Sequence, residues 1–127
     1  MLNKKAFTLI ELLIIIAIVG ILASAIMVSI MTARTRARDA SFKTVASNIQ
    51  TALTSCCITS ATLNQPTANE IICSTGSERY PRQESIGGGS VGTCNGGNFT
   101  ATINSGTKNR GSYTSATITS NNITYNP

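Results

Sequence analysis

Two sets of residues in this chain have types and spacing that could do chemistry. One is a lone carboxylate, Glu11, inside the apolar run FTLIELLIII. The other is four cysteines, Cys56, Cys57, Cys73 and Cys94. A charge near the centre of a bilayer costs on the order of 3 kcal/mol, so an acid in such a run needs a counter-charge or a route to water. On a helix that starts at Phe7, Glu11 lies about 6 Å from the end, and its side chain can snorkel outward. An acid in the first turn also complements the helix dipole. The dipole explains the sign of the charge without explaining its place in the oil.

The cysteines are even in number and all follow the apolar run, so they would be exported if that run directs translocation. Four thiols could hold zinc, but adjacent cysteines fit the C-x2-4-C spacing badly and the chain has no His. Disulfides are therefore expected. A bridge between Cys56 and Cys57 would strain the local backbone, so each should reach one of Cys73 and Cys94, with the pairing left open. Each bridge would add roughly 3 kcal/mol in the chain-entropy model. With no His, five acidic residues, and no Gly-x-Ser-x-Gly or phosphate-loop spacing, no catalytic triad, dyad, cofactor cradle or metal site is expected.

The elements that must carry these residues follow from the composition. The 127 residues suffice for one small domain. From Phe7 to Met31 the only strongly polar side chain is Glu11, and a helix over this stretch would be about 37 Å long, enough to cross a bilayer. No Pro precedes Pro66, and Gly20 is the only Gly before Gly76, so the helix is expected to continue to Thr54. In that second half Phe42, Val45, Ala46, Ile49, Ala52 and Leu53 form one apolar stripe. Beyond it the chain is rich in Thr, Ser, Asn and Gly and can build only a thin core, which disulfides would reinforce.

Glu70 to Cys73 reads as a short strand or turn. The segment IGGGSVGTCNGG, Ile86 to Gly97, holds too many glycines for a regular element and reads as a flexible loop pinned by Cys94. Strands are expected around Phe99 to Ile103, Tyr113 to Thr119 and Ile123 to Tyr125. The expected fold is α+β: a long N-terminal helix, apolar then amphipathic, packed on a small antiparallel sheet of three or four strands. The domain divisions are a basic leader at 1–6, an apolar half-helix at 7–31, an amphipathic half-helix at 32–54 and a disulfide-stabilised head at 55–127.

The net charge is +5. Lys4 and Lys5 form a basic leader suited to the cytoplasmic side of a membrane, while Arg34, Arg36, Arg38 and Lys43 lie beyond the other end of the apolar run. The second cluster could contact nucleic acid, a reading the sequence allows but does not favour over solvated or headgroup-facing side chains, with Arg38 or Lys43 pairing with Asp39. The sequons at Asn98 and Asn122 are short motifs in a tail rich in Asn and Thr.

The stretch KKAFTLIELLIIIAIVGILA, Lys4 to Ala23, resembles the amino-terminal signature of type IV prepilins and the related pseudopilins. The resemblance implies cleavage between Ala6 and Phe7 by a prepilin peptidase, methylation of the new Phe7 amine, and pairing of Glu11 with the Phe7 amine of a neighbouring subunit. It also implies storage in the inner or cytoplasmic membrane, a membrane assembly platform driven by a separate cytoplasmic ATPase, and a helical homo-oligomer that emerges as a surface pilus. Two features depart from the family pattern: Ala6 stands where the leader usually ends in Gly, and no Pro interrupts the helix. Adhesion, motility, DNA uptake and secretion are all roles the family serves. Glu70, Glu78 and Glu84 are not spaced as a calcium loop, which favours a pilin over a pseudopilin.

Rival readings are a single-pass anchor that never polymerises and a conventional secreted protein cut after ASA, Ala23 to Ala25. Amino-terminal sequencing of the mature chain separates the last from the pilin reading: Phe7 is expected, and Ile26 would identify a secreted protein.

Overall fold

The computed structural model describes residues 7–127; residues 1–6, the expected leader, and with them Ala6 of the expected cleavage site, lie outside the described residues. The chain divides into two units, residues 1–33 and 34–127. One helix, α1, runs over Leu9–Ile58, and four strands follow: β1 Ile86–Val91, β2 Thr100–Ser105, β3 Ser115–Thr119 and β4 Ile123–Asn126. This is the expected α+β arrangement.

In the first unit α1 leaves its side chains exposed all round, from Leu9 at 81% to Ile30 at 45%. The helix has nothing to break it, since Gly20 sits mid-helix with open space about it and costs only about 1 kcal/mol relative to Ala.

In the second unit the apolar stripe of α1 is buried. Phe42, Ala46, Ile49 and Leu53 pack with Ile86, Ala101, Ile103, Ala116 and Ile118 into one core. The sheet order is β1-β2-β3-β4, all antiparallel. Across β2 and β3, Ala101 faces Ile118 and Ile103 faces Ala116. Large opposite small keeps the sheet's inner face level enough for the helix to lie on it. The intervening threonines, Thr100 and Thr102 on β2 and Thr117 and Thr119 on β3, take the other face by the period of two.

The glycine-rich segment differs from expectation: Ile86–Val91 is a strand rather than a loop. Glycine is what the position demands. A Cβ on Gly89 would collide with the Thr102 carbonyl oxygen of β2, and Gly88 takes φ of 96°. These glycines form the irregularity between Ile86 and Gly89 in the β1–β2 register, a bulge that costs backbone entropy but lets Ile86 and Val91 both reach the core. The outer edge of β1 is closed by a side chain. Gln65 donates from Nε2 to the Val91 carbonyl at 3.0 Å and accepts the Val91 N–H at 3.1 Å, standing in for a neighbouring strand.

The helix ends four residues later than expected. Ser60 adopts φ of 55°, the Ala61 N–H reaches the Cys56 carbonyl at 3.0 Å, and the Ser60 N–H reaches that of Cys57 at 3.4 Å. This is a Schellman closure with Ser where Gly is usual, so the sequence carries no ordinary stop signal there. The segment Glu70 to Cys73 forms isolated bridges, Leu63 with Cys73 and Ile71 with Arg79, and Tyr80 anchors it by donating its hydroxyl to the Asn64 carbonyl at 2.8 Å. Burial pushes the Tyr80 phenol up to about 12.

Asp39 pairs with neither Arg38 nor Lys43. It accepts the Ser112 N–H at 2.7 Å, Arg38 reaches the Arg110 carbonyl at 3.5 Å, and Lys43 lies over the Tyr113 and Tyr125 rings at 5.2 and 5.3 Å. Asp39 and, further along, Gln50, which donates to the Thr119 carbonyl at 2.8 Å, tie the helix to the loop before β3 and to the end of β3. A backbone N–H donated to a carboxylate is stronger than an exposed i,i+1 ion pair, and it orders a loop that has few apolar contacts.

Cys56 is bonded to Cys73 and Cys57 to Cys94, with Cα separations of 5.7 and 5.4 Å. The adjacent pair thus fastens the last turn of α1 to two separate segments of the head. The chain-entropy model assigns about 3 kcal/mol to the shorter closed loop and about 4 to the longer. Denaturant unfolding of the detergent-solubilised chain should show C57A/C94A as the more destabilised variant and C56A/C73A as the less. Equal unfolding of both variants and the parent would contradict this.

Candidate processing and assembly site

The start of α1 is built from four residues, Phe7 to Ile10, and the acid that follows them. Thr8 lies just outside the helix and Leu9 is its first residue. The first turn of any helix leaves backbone N–H groups without partners, and in an apolar setting each is costly. Here Glu11 turns back on them. Its Oε2 accepts the Thr8 N–H at 2.9 Å and the Thr8 hydroxyl at 2.7 Å, while Thr8 Oγ1 accepts the Glu11 N–H at 3.4 Å. The Leu12 N–H reaches the Thr8 carbonyl at 3.4 Å and opens the helical ladder. Threonine at the N-cap with Glu three residues on is a reciprocal capping box.

This arrangement changes the electrostatic account of Glu11. The carboxylate is not solitary: two donors on one residue hold it, and both use Oε2. A carboxylate offers about four acceptor sites, so the capped acid keeps capacity on Oε1 for a further donor. The cap also fixes the side chain toward the start of the helix, where Phe7 lies, rather than outward along the apolar flank.

Phe7 is 76% exposed, and the apolar side chains that follow it are exposed too. The helix is long and apolar enough to cross a membrane. Of the residues singled out from sequence, Phe7 and Glu11 stand four residues apart at the start of α1, and the cysteines belong to the other unit. Thr8 is the residue that sequence reasoning missed. Its signal is present in the sequence, since Thr-x-x-Glu immediately before an apolar run is an N-terminus signature, but snorkelling, the helix dipole and the Phe7 amine account for the acid without reference to Thr8.

Residues 1–27 match the family model of the prokaryotic N-terminal methylation motif, the class III signal peptide of type IV pilins and prepilins. No curated protein and no solved structure matches the chain. The motif supports a type IV pilin-like, prepilin-processed protein, and it implies processing by a prepilin peptidase and assembly into a filament. Together with the apolar helix it fits anchoring in a membrane before assembly.

Removing the Thr8 hydroxyl isolates the cap. Thr8→Val should cost about 1 kcal/mol at the helix start and speed amide hydrogen exchange at Leu9 to Leu12 about five-fold in detergent micelles, with residues beyond Ser29 unchanged. Exchange identical to the parent would show that the cap does not hold the first turn.

Proposed function

We propose that this chain is a structural subunit of a type IV pilus-like filament. It is inserted with its leader cytoplasmic and its head outside, cut between Ala6 and Phe7, methylated on the Phe7 amine, and drawn from the membrane into a helical homo-oligomer by an assembly platform and its cytoplasmic ATPase. The division into leader 1–6, apolar half-helix 7–31, amphipathic half-helix 32–54 and head 55–127 is part of this reading. The observation that carries it is an entirely exposed apolar helix surface bearing one acid, under the methylation motif at residues 1–27.

The geometry supplies a mechanism that needs no catalytic group. Cleavage would turn the Phe7 amide nitrogen into a cation one residue from the Thr8 N–H that Glu11 already holds. Glu11 of one copy and the Phe7 amine of the next would then neutralise each other in a core without water. Removing one partner of a buried ion pair costs about 3–5 kcal/mol, because the other is left charged and alone. The pair therefore selects register more than it adds net stability. The two disulfides, on this reading, suit a head that leaves the cell. A pseudopilin or a minor pilin shares every one of these features; the lack of a calcium-type acidic loop among Glu70, Glu78 and Glu84 favours a pilin.

Glu11→Gln keeps the shape and most of the cap while deleting the charge. Cells carrying it should place the chain in the membrane at parental levels yet show at least about ten-fold fewer surface filaments by electron microscopy. Filaments at parental number, or parental filaments in which mass spectrometry finds none of this chain, would overturn the proposal.

A further inference from the structure

Three arginines sit within five residues on the second unit's part of α1: Arg34, Arg36 and Arg38. All three are exposed, and Arg34 follows the last apolar residue, Met31, by three positions. Helical spacing of about 100° per residue puts Arg34 and Arg38 on one side and Arg36 on the opposite side, so the charges surround the helix rather than line one face.

Among the described residues no acid forms an ion pair with them. Asp39 is the only acid between Glu11 and Glu70; its carboxylate accepts the Ser112 N–H at 2.7 Å and forms no ion pair with an arginine among the described residues. The ion pair among the described residues joins Lys108 to Glu84, on the loops of the head. Arg38 makes one long contact, 3.5 Å to the Arg110 carbonyl; Arg34 and Arg36 make no hydrogen bond or ion pair among the described residues.

We infer that Arg34, Arg36 and Arg38 form a collar that binds the phosphate groups of anionic lipids in the leaflet where the apolar segment ends. The inference rests on the reading of residues 7–31 as a membrane span. Guanidinium groups pair with phosphate oxygens in a bidentate fork and stay charged at every physiological pH. A cation beside an anionic bilayer surface is attracted to it, and the attraction fades within a Debye length. Lipid headgroups surround a spanning helix on all sides, which suits charges on opposite sides of that helix. A nucleic acid strand would meet Arg34 and Arg38 or Arg36, but not both sides together. The collar gives the stored subunit a fixed depth, and it makes departure from the bilayer an exchange of lipid phosphate for acceptors on other copies.

The test uses the full chain in phosphatidylcholine vesicles carrying trace spin-labelled phosphatidylglycerol or spin-labelled phosphatidylcholine, with the motionally restricted fraction of each read by electron spin resonance. The parent should restrict the anionic lipid about five-fold more than the neutral one at low salt, and R34Q/R36Q/R38Q should restrict the two equally. R34Q/R36Q, which keeps the Arg38–Arg110 contact, should fall between. Equal restriction by the parent, or undiminished selectivity in the triple variant, overturns the collar. So does selectivity abolished by inorganic phosphate or duplex DNA but not by sodium chloride of matched ionic strength, which would assign the arginines to a soluble phosphate ligand. A chain that fails to float with the vesicles overturns the membrane span itself, whereas one that floats without selectivity overturns only the collar.

Discussion

An apolar helix surface exposed all round within its own unit is the constraint on which the rest depends. Side chains such as Leu9, Ile10, Ile21 and Val28 are 66–81% exposed, and each would gain on the order of 1.5–3 kcal/mol on leaving water. Water is thus a costly solvent for this half of α1. A bilayer satisfies it, and so does a bundle of copies, but the two are nearly equivalent in hydrophobic terms because lipid tails are as apolar as leucine. The proposed transfer from one to the other would not be driven by the hydrophobic effect alone. Packing and polar pairs must decide it, and within Phe7 to Met31 the strongly polar group available is Glu11.

The capping box shows how one acid can serve in both settings. In a single copy it accepts the Thr8 N–H and hydroxyl, while Thr8 in turn accepts the Glu11 N–H, so two N–H groups at an apolar boundary find partners. Its cost in the membrane is thereby reduced without neutralising it, and the remaining charge stays available to an amine. A bare acid on the flank of the helix would be either too costly to store or free to point in many directions. The cap fixes both the energy and the aim.

The head answers a different problem, that of ordering a small, threonine-rich chain. The stripe Phe42, Ala46, Ile49 and Leu53 was legible from its spacing, as were the strands around Ala101, Ile118 and Ile123, because alternation and 3.6-residue periodicity are local signals. The β1 strand was not legible. Its glycines are required by the approach of the Thr102 carbonyl, a tertiary contact that composition cannot reveal. The same holds for the helix end, closed by a serine in a left-handed conformation, and for Asp39, whose partner Ser112 lies far along the chain. At the candidate site Glu11 stood out by contrast with its neighbours, whereas Thr8 was overlooked although its spacing to Glu11 was in plain view. Local patterns were readable where burial repeats. They failed where one distant backbone atom decides the conformation.

A helical reconstruction of the purified filament at side-chain resolution bears most directly on the central claim. The account predicts that residues from Leu9 to Ile30 are enclosed by other copies on all sides and that the Glu11 carboxylate lies within ion-pairing distance of the Phe7 amine of an adjoining subunit. A filament whose apolar half-helices face solvent, or in which Glu11 meets no cation, would contradict it.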